Sequence, residues 1–157
     1  ARIGLIAFVI VVVALVALVA FRVATRAPAI PLGPTAATDL RPGACLAEDS
    51  IDLDEYTVVA CGQKHPQQVF AVADLELDEL VYAQTGGALT AFGDEVCDRY
   101  LEYRLFLVPD LDKGDYVAQA IGVPTPAQYA SGDTEASCVI AHEDGQALTT
   151  DLYRPMP

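Results

Sequence analysis

The sequence predicts an α+β fold: a small antiparallel sheet with one helix packed on it, two disulfides, and one N-terminal transmembrane helix ahead of it. Three observations lead there. They are an uncharged apolar run at the N-terminus, short strand-like segments around a single amphipathic helical period, and four cysteines spread through the later chain.

The apolar run occupies residues 3–21, which carry no charge. At 1.5 Å of rise per residue such a helix is roughly 28 Å long, about the thickness of a bilayer's hydrocarbon core. A secretory signal peptide is the rival reading, since Ala27-Pro28-Ala29 resembles a small-residue cleavage site. A signal's apolar region usually runs about 7–15 residues, and this one is longer. The first cysteine is Cys45, far past the run, which argues against a lipoprotein. Residues 1–26 are therefore expected to be an uncleaved anchor with its flanks. Residue 1 is Ala, and further chain is expected before it. Gly4, Ala7, Ala14, Ala17 and Ala20 fall on roughly one half of this helix. A face of small residues lets another transmembrane helix approach closely.

Residues 27–40 contain Pro28, Pro31 and Pro34 and read as an extended, polyproline-like linker. Residues 41–157 read as one extracytoplasmic domain, starting at Arg41-Pro42-Gly43. Runs rich in Val, Tyr and Phe at 56–60 and 68–73 predict strands. A charged connection follows at 74–79, and Gly86-Gly87 break the chain. Over 88–105, Leu89, Phe92, Val96, Cys97, Tyr100, Leu101 and Arg104 recur at three- and four-residue steps. Asp94, Glu95, Asp98 and Glu102 take the other side, so this segment predicts an amphipathic helix. Strands are expected at 116–122 and 135–142, and a returning strand at 147–153 after the turn Glu143-Asp144-Gly145.

The cysteines set the compartment. Cys45, Cys61, Cys97 and Cys138 are even in number and form no CxxC pair, whereas a four-cysteine zinc site usually comes as two close pairs. Two disulfides are the simpler reading, and they need an oxidising environment. The domain is thus expected outside the cell membrane, with the N-terminus cytoplasmic. Three pairings are possible. Cys45–Cys61 and Cys97–Cys138 is favoured, because it staples the opening segment to the next strand and the helix to a late strand.

Charge is segregated. All 22 acidic residues lie between Asp39 and Asp151, against six basic ones from Arg41 onward, a balance of 6 − 22 = −16. Such a surface repels nucleic acid and anionic lipid and attracts basic partners.

No catalytic pattern stands out. His65 and His142 lie 77 residues apart, too far for ligand spacing on one element, and Ser50, Ser131 and Ser137 sit in no nucleophile-elbow context. Asp110, Asp112 and Asp115 around Gly114 resemble the start of a calcium loop but lack the closing glutamate. His65 before Pro66 reads as a structural turn residue. Catalytic residues, cofactors and metals are not expected.

Several short motifs occur together in order. Gly43-Ala44-Cys45-Leu46 is followed by Cys61, His65 and Val69-Phe70, then by Pro124, Tyr129, Gly132-Asp133 and Cys138, and last by Gly145, Leu148 and Thr149. The set resembles the exported domain of the actinobacterial septum formation family over about 110 residues. Departures from that family's pattern are Ala44 for Asp, Lys64 for Pro, Gln68 for Glu, Tyr129 for Trp and Thr134 for Arg. The resemblance implies a domain outside the membrane, tethered by one helix, and implies no chemistry. The functional expectation is a non-catalytic accessory subunit or binding module of a larger membrane complex. It would contact integral membrane subunits and the lipid bilayer through the helix, and a basic extracytoplasmic protein through the acidic domain. A respiratory assembly is one attractive host. The alternative is a binding protein of the cell envelope or septum that acts through its outer domain.

Overall fold

The structure, a computed structural model, describes residues 29–47, 55–75 and 89–155. The expected anchor, with Gly4, Ala7, Ala14, Ala17 and Ala20, lies outside them. Among the described residues no helix is long and apolar enough to cross a membrane.

The strands are β1 (Gly33–Ala36), β2 (Cys45–Leu46), β3 (Glu55–Val59), β4 (Gln67–Asp74), β5 (Tyr116–Ile121) and β6 (Glu135–His142). They form one sheet in the order β1-β3-β2-β4-β6-β5, with every pair antiparallel. Alternation assigns the faces. On β5 and β6, Ala118, Ala120, Ala136, Cys138 and Ile140 belong to the larger core cluster. The intervening Val139 belongs to a smaller cluster on the opposite face, where Ile121 also packs. The register of β4 on β6 shifts between Val69 and Ala71. This bulge lets Phe70 and Ala71 both join the larger cluster while Val69 joins the smaller one.

Helix α1 (Leu89–Glu102) covers the first face. Its buried stripe is Leu89, Gly93, Cys97 and Leu101, one residue per turn. Phe70, Leu75, Leu89 and Ile140 are fully buried around it, and burying each such side chain contributes roughly 1.5–3 kcal/mol. The Glu95–Arg99 pair on the outer side, at 2.9 Å, is exposed and adds at most about 0.5 kcal/mol. The helix stops at Glu102 because the chain turns left-handed at Arg104, where φ is +52°. Leu105 N–H then bonds the Tyr100 carbonyl and Arg104 N–H the Leu101 carbonyl, which satisfies the helix's last acceptors. The expected extension to Leu105 fails for this reason.

Gly93 marks the closest approach of α1 to the sheet. A Cβ there would lie 2.8 Å from the Ala120 Cβ on β5. Alanine is normally worth up to about 1 kcal/mol over glycine inside a helix. Gly93→Ala should nevertheless lose about 1–3 kcal/mol, since backbone on both sides has to separate. Urea unfolding of the purified domain would check the sign.

The expected linker is corrected in part. From Gly33 the chain forms β1, pairing with β3 from Gly33–Val58 to Ala36–Glu55, then a 3-10 turn (Ala37–Asp39). Ala37 and Leu40 are buried on the sheet's second face, with Ile30 packed beside them. Pro34 is tolerated because β1 is an edge strand with no ladder on its far side.

The expected strand at 147–153 is also corrected. This segment is tacked down by single bridges, His65 to Leu148 and Leu107 to Tyr153. A further short helix, α2 (Pro126–Ala130), starts with a capping box of Thr125 and Gln128.

Candidate functional site

Both disulfides join the pairs favoured from the spacing, Cys45–Cys61 and Cys97–Cys138, each with Cα atoms 5.3 Å apart. That separation is ordinary for a cystine. Cys45, Cys97 and Cys138 are fully buried, and Cys61 is half-buried on the turn that leads to β4. The second bridge fixes α1 to β6. The first fixes β2 to that turn.

Among the described residues two long polar side chains, Gln68 and His65, are fully buried, and Gln68 lies beside the first bridge. Gln68 Nε2 donates to Asp151 Oδ1 at 2.6 Å and lies 3.8 Å from Cys61 Sγ. Its Oε1 accepts from the Leu152 N–H at 2.8 Å. Tyr153 N–H also donates to Asp151 Oδ1. One amide therefore holds the final segment against the sheet. His65 is fully buried, and its Nδ1 lies 2.8 Å from the Gln63 carbonyl oxygen. Its main chain exchanges two hydrogen bonds with Leu148. His65 Nε2 has no partner among the described residues.

His142 lies elsewhere, at the end of β6. Its ring stacks on Tyr116 at 4.5 Å. Together with Asp115, Glu143, Asp144 and Gln146 it lines an acidic recess of about 410 Å³. Burial, and then the neighbouring Asp115 charge, raise the Tyr116 hydroxyl above the usual tyrosine value. Asp144 is held below the usual carboxylate value, first by the Gln146 backbone N–H. A lowered carboxylate favours the folded turn above its unfolded pKa, and the advantage fades as pH falls through the lower folded value. An NMR titration should find Asp144 titrating below the ordinary carboxylate range.

The calcium-like loop has another use. Asp112 accepts from the Gly114 N–H at 3.2 Å and caps a 3-10 turn (Lys113–Asp115). No group of three or more His, Cys, Asp or Glu side chains is placed to hold a metal among the described residues. Ser131 Oγ bonds the Gln128 carbonyl at 2.7 Å, and Ser137 is buried in β6. Ser50 lies outside the described residues.

A larger recess of about 780 Å³ opens between the 3-10 turn at Ala37, the start of α1 at Thr90, and α2. Its size suits a small ligand. Two of its polar groups are already committed, since Thr125 and Gln128 bond each other in the capping box. Sequence reasoning missed this recess and the Gln68 clasp. The signal for the clasp was a polar residue inside an otherwise apolar strand.

No family model matches this chain, and no curated protein or solved structure matches it either. Gly43, Gly132 and Gly145 all have positive φ, Pro124 is buried, and His65 pairs with Leu148.

Proposed function

We propose that this chain is a non-catalytic accessory module, anchored in the cell membrane by residues 1–26 and placing its acidic domain outside the cytoplasm to bind a partner. The observation that carries the reading is the pair of cystines built into the core, with three of their four residues fully buried. Cross-links of this kind belong to an oxidising compartment. The apolar run immediately upstream supplies the tether.

The surface charge suits a basic partner. Arg99 and Lys113 are engaged by Glu95 and Glu102, and Arg104 by the Pro109 carbonyl. Asp115, Glu143 and Asp144 remain exposed at one end of the sheet. In the membrane, the face of Gly4, Ala7, Ala14, Ala17 and Ala20 is the proposed contact with integral membrane subunits of a larger complex, of which a respiratory assembly is one candidate. Gentle detergent extraction followed by native electrophoresis tests this. The chain should migrate with integral membrane proteins, and higher salt should release a partner held by charge. Migration as a lone polypeptide would sink the reading.

A second reading is a septum-associated binding module. It is favoured by the convergence of the second and last resemblance motifs, where His65 pairs with Leu148 next to the Gln68 clasp. Enrichment of a tagged copy at the septum would support it over the first.

A further inference from the structure

The two cystines differ in what surrounds them. Cys97 and Cys138 are both fully buried, between α1 and β6. Cys45 is fully buried too, but its partner Cys61 is half-buried on a tight turn, closed by the Gln63 N–H on the Ala60 carbonyl at 2.9 Å. Ala60, Gly62, Gln63 and Lys64 beside it are exposed. Thiol–disulfide exchange requires an attacking thiolate to reach a sulfur, so access decides which bridge opens first. The Cys61 side admits a reagent, whereas the enclosed bridge must wait for a local opening of the core. The Lys64 ammonium on the same turn favours the approach of a thiolate.

This turn also carries the ties of the final segment. It leads directly into His65, whose main chain exchanges hydrogen bonds of 3.1 and 2.7 Å with Leu148. Just beyond, Gln68 holds Asp151 Oδ1 and the Leu152 N–H, and its Nε2 lies 3.8 Å from Cys61 Sγ. Leu148 and Leu152 are buried in the larger cluster. The bridge that fixes Cys61 to β2 therefore also steadies the stretch from which residues 148–153 hang. The other bridge keeps α1 on β6 whatever the state of the first.

We infer that Cys45–Cys61 is a redox-sensitive switch, opened selectively by a dithiol, and that opening it loosens residues 148–153 from the sheet while α1 stays in place. One thiolate of the dithiol bonds to Cys61 Sγ. The bond to Cys45 breaks, and the Cys45 sulfur leaves with the electron pair and takes up a proton. The second thiolate then attacks the sulfur of its own partner, and Cys61 leaves in turn and is protonated. The dithiol is oxidised to a disulfide and the cystine is reduced to two thiols. Exchange with a disulfide oxidant runs the same steps backward and closes the bridge. The closed resting state rests on the oxidising compartment proposed above, and the opening chemistry does not.

The test titrates the purified full chain, in detergent micelles, with dithiothreitol and traps free thiols with N-ethylmaleimide. Peptide masses should show Cys45 and Cys61 labelled roughly tenfold or more faster than Cys97 and Cys138. Hydrogen exchange of the singly reduced chain should rise over residues 148–153 and stay unchanged over 89–102. Cys45→Ala with Cys61→Ala, which carries no adduct, should show the same rise without reductant, and oxidised glutathione should restore the closed pattern in the wild type. Reduction of both bridges together, of Cys97–Cys138 first, or of neither in the folded chain would overturn the switch. So would unchanged exchange over 148–153, a rise in the labelled chain that the variant does not share, or failure to reclose. Because the chain is purified, none of these results bears on where it resides.

Discussion

Gln68→Glu should destabilise the domain by about 2–4 kcal/mol at neutral pH, a large share of the roughly 5–15 kcal/mol that holds a typical domain together. The wild-type amide donates to Asp151 Oδ1 at 2.6 Å from a fully buried position. A carboxylate there has no proton to donate, is desolvated, and faces a like charge. All three effects favour the neutral form and raise the pKa of the new carboxyl above the ordinary value of about 4.3. The sign follows by linkage. A carboxyl whose folded pKa is raised costs stability above that pKa, and the cost disappears as pH falls below the unfolded value. Urea unfolding should therefore show the deficit growing from about pH 4 upward and then levelling off. Adding Asp151→Asn should restore part of the loss, because the new amide can donate to the carboxylate. Gln68→Leu should cost about 1–3 kcal/mol with little pH dependence, by orphaning the Leu152 N–H. A flat pH profile for Gln68→Glu would show that the clasp is not formed as described.

Removing the bridge between α1 and β6 is the other large effect. The chain-entropy relation assigns about 4 kcal/mol to a cross-link of 41-residue separation and about 3 kcal/mol to one of 16. Cys97→Ala with Cys138→Ala should therefore lower Tm by roughly 15 °C, at about 4 °C per kcal/mol for a domain of this size. Cys45→Ala with Cys61→Ala should lower it less. Both Cys97 and Cys138 are fully buried, so the first variant also leaves unfilled volume where the sulfurs were. Calorimetry on the two variants checks the order. Equal losses would mean that local packing, and not loop closure, sets the value of each bridge.

The fold was legible where one periodicity dominated. α1 followed from Leu89, Cys97 and Leu101 recurring along one side, and β3, β4, β5 and β6 from their branched and aromatic runs. The fold was obscure where pairing depends on a distant partner. β1 is Gly-Pro-Thr-Ala, with no strand propensity to speak of, and exists because β3 offers it an edge. β2 is only Cys45 and Leu46, inserted between β3 and β4 and pinned by the cystine. The final segment alternates like a strand, yet what binds it is the Gln68 side chain, and no local pattern encodes a contact across 84 residues. Of the candidate site residues, the cysteines could be paired by sense of spacing. His65 and His142 gave no hint that one is fully enclosed and the other stacked on an aromatic ring at the surface.

The position of β1 has a mechanical consequence. Any pull that reaches the domain from its N-terminal side is borne first by the four residue pairs of β1 on β3. This short edge ladder can peel without opening the larger cluster around α1. Peeling then meets a covalent stop, because Cys45 is bonded to Cys61. The slack released before that stop is the chain from Ile30 to Ala44, about 50 Å when drawn out. β1 and the turn after it thus form an extensible strap of fixed maximum length, with the cystine as its buckle.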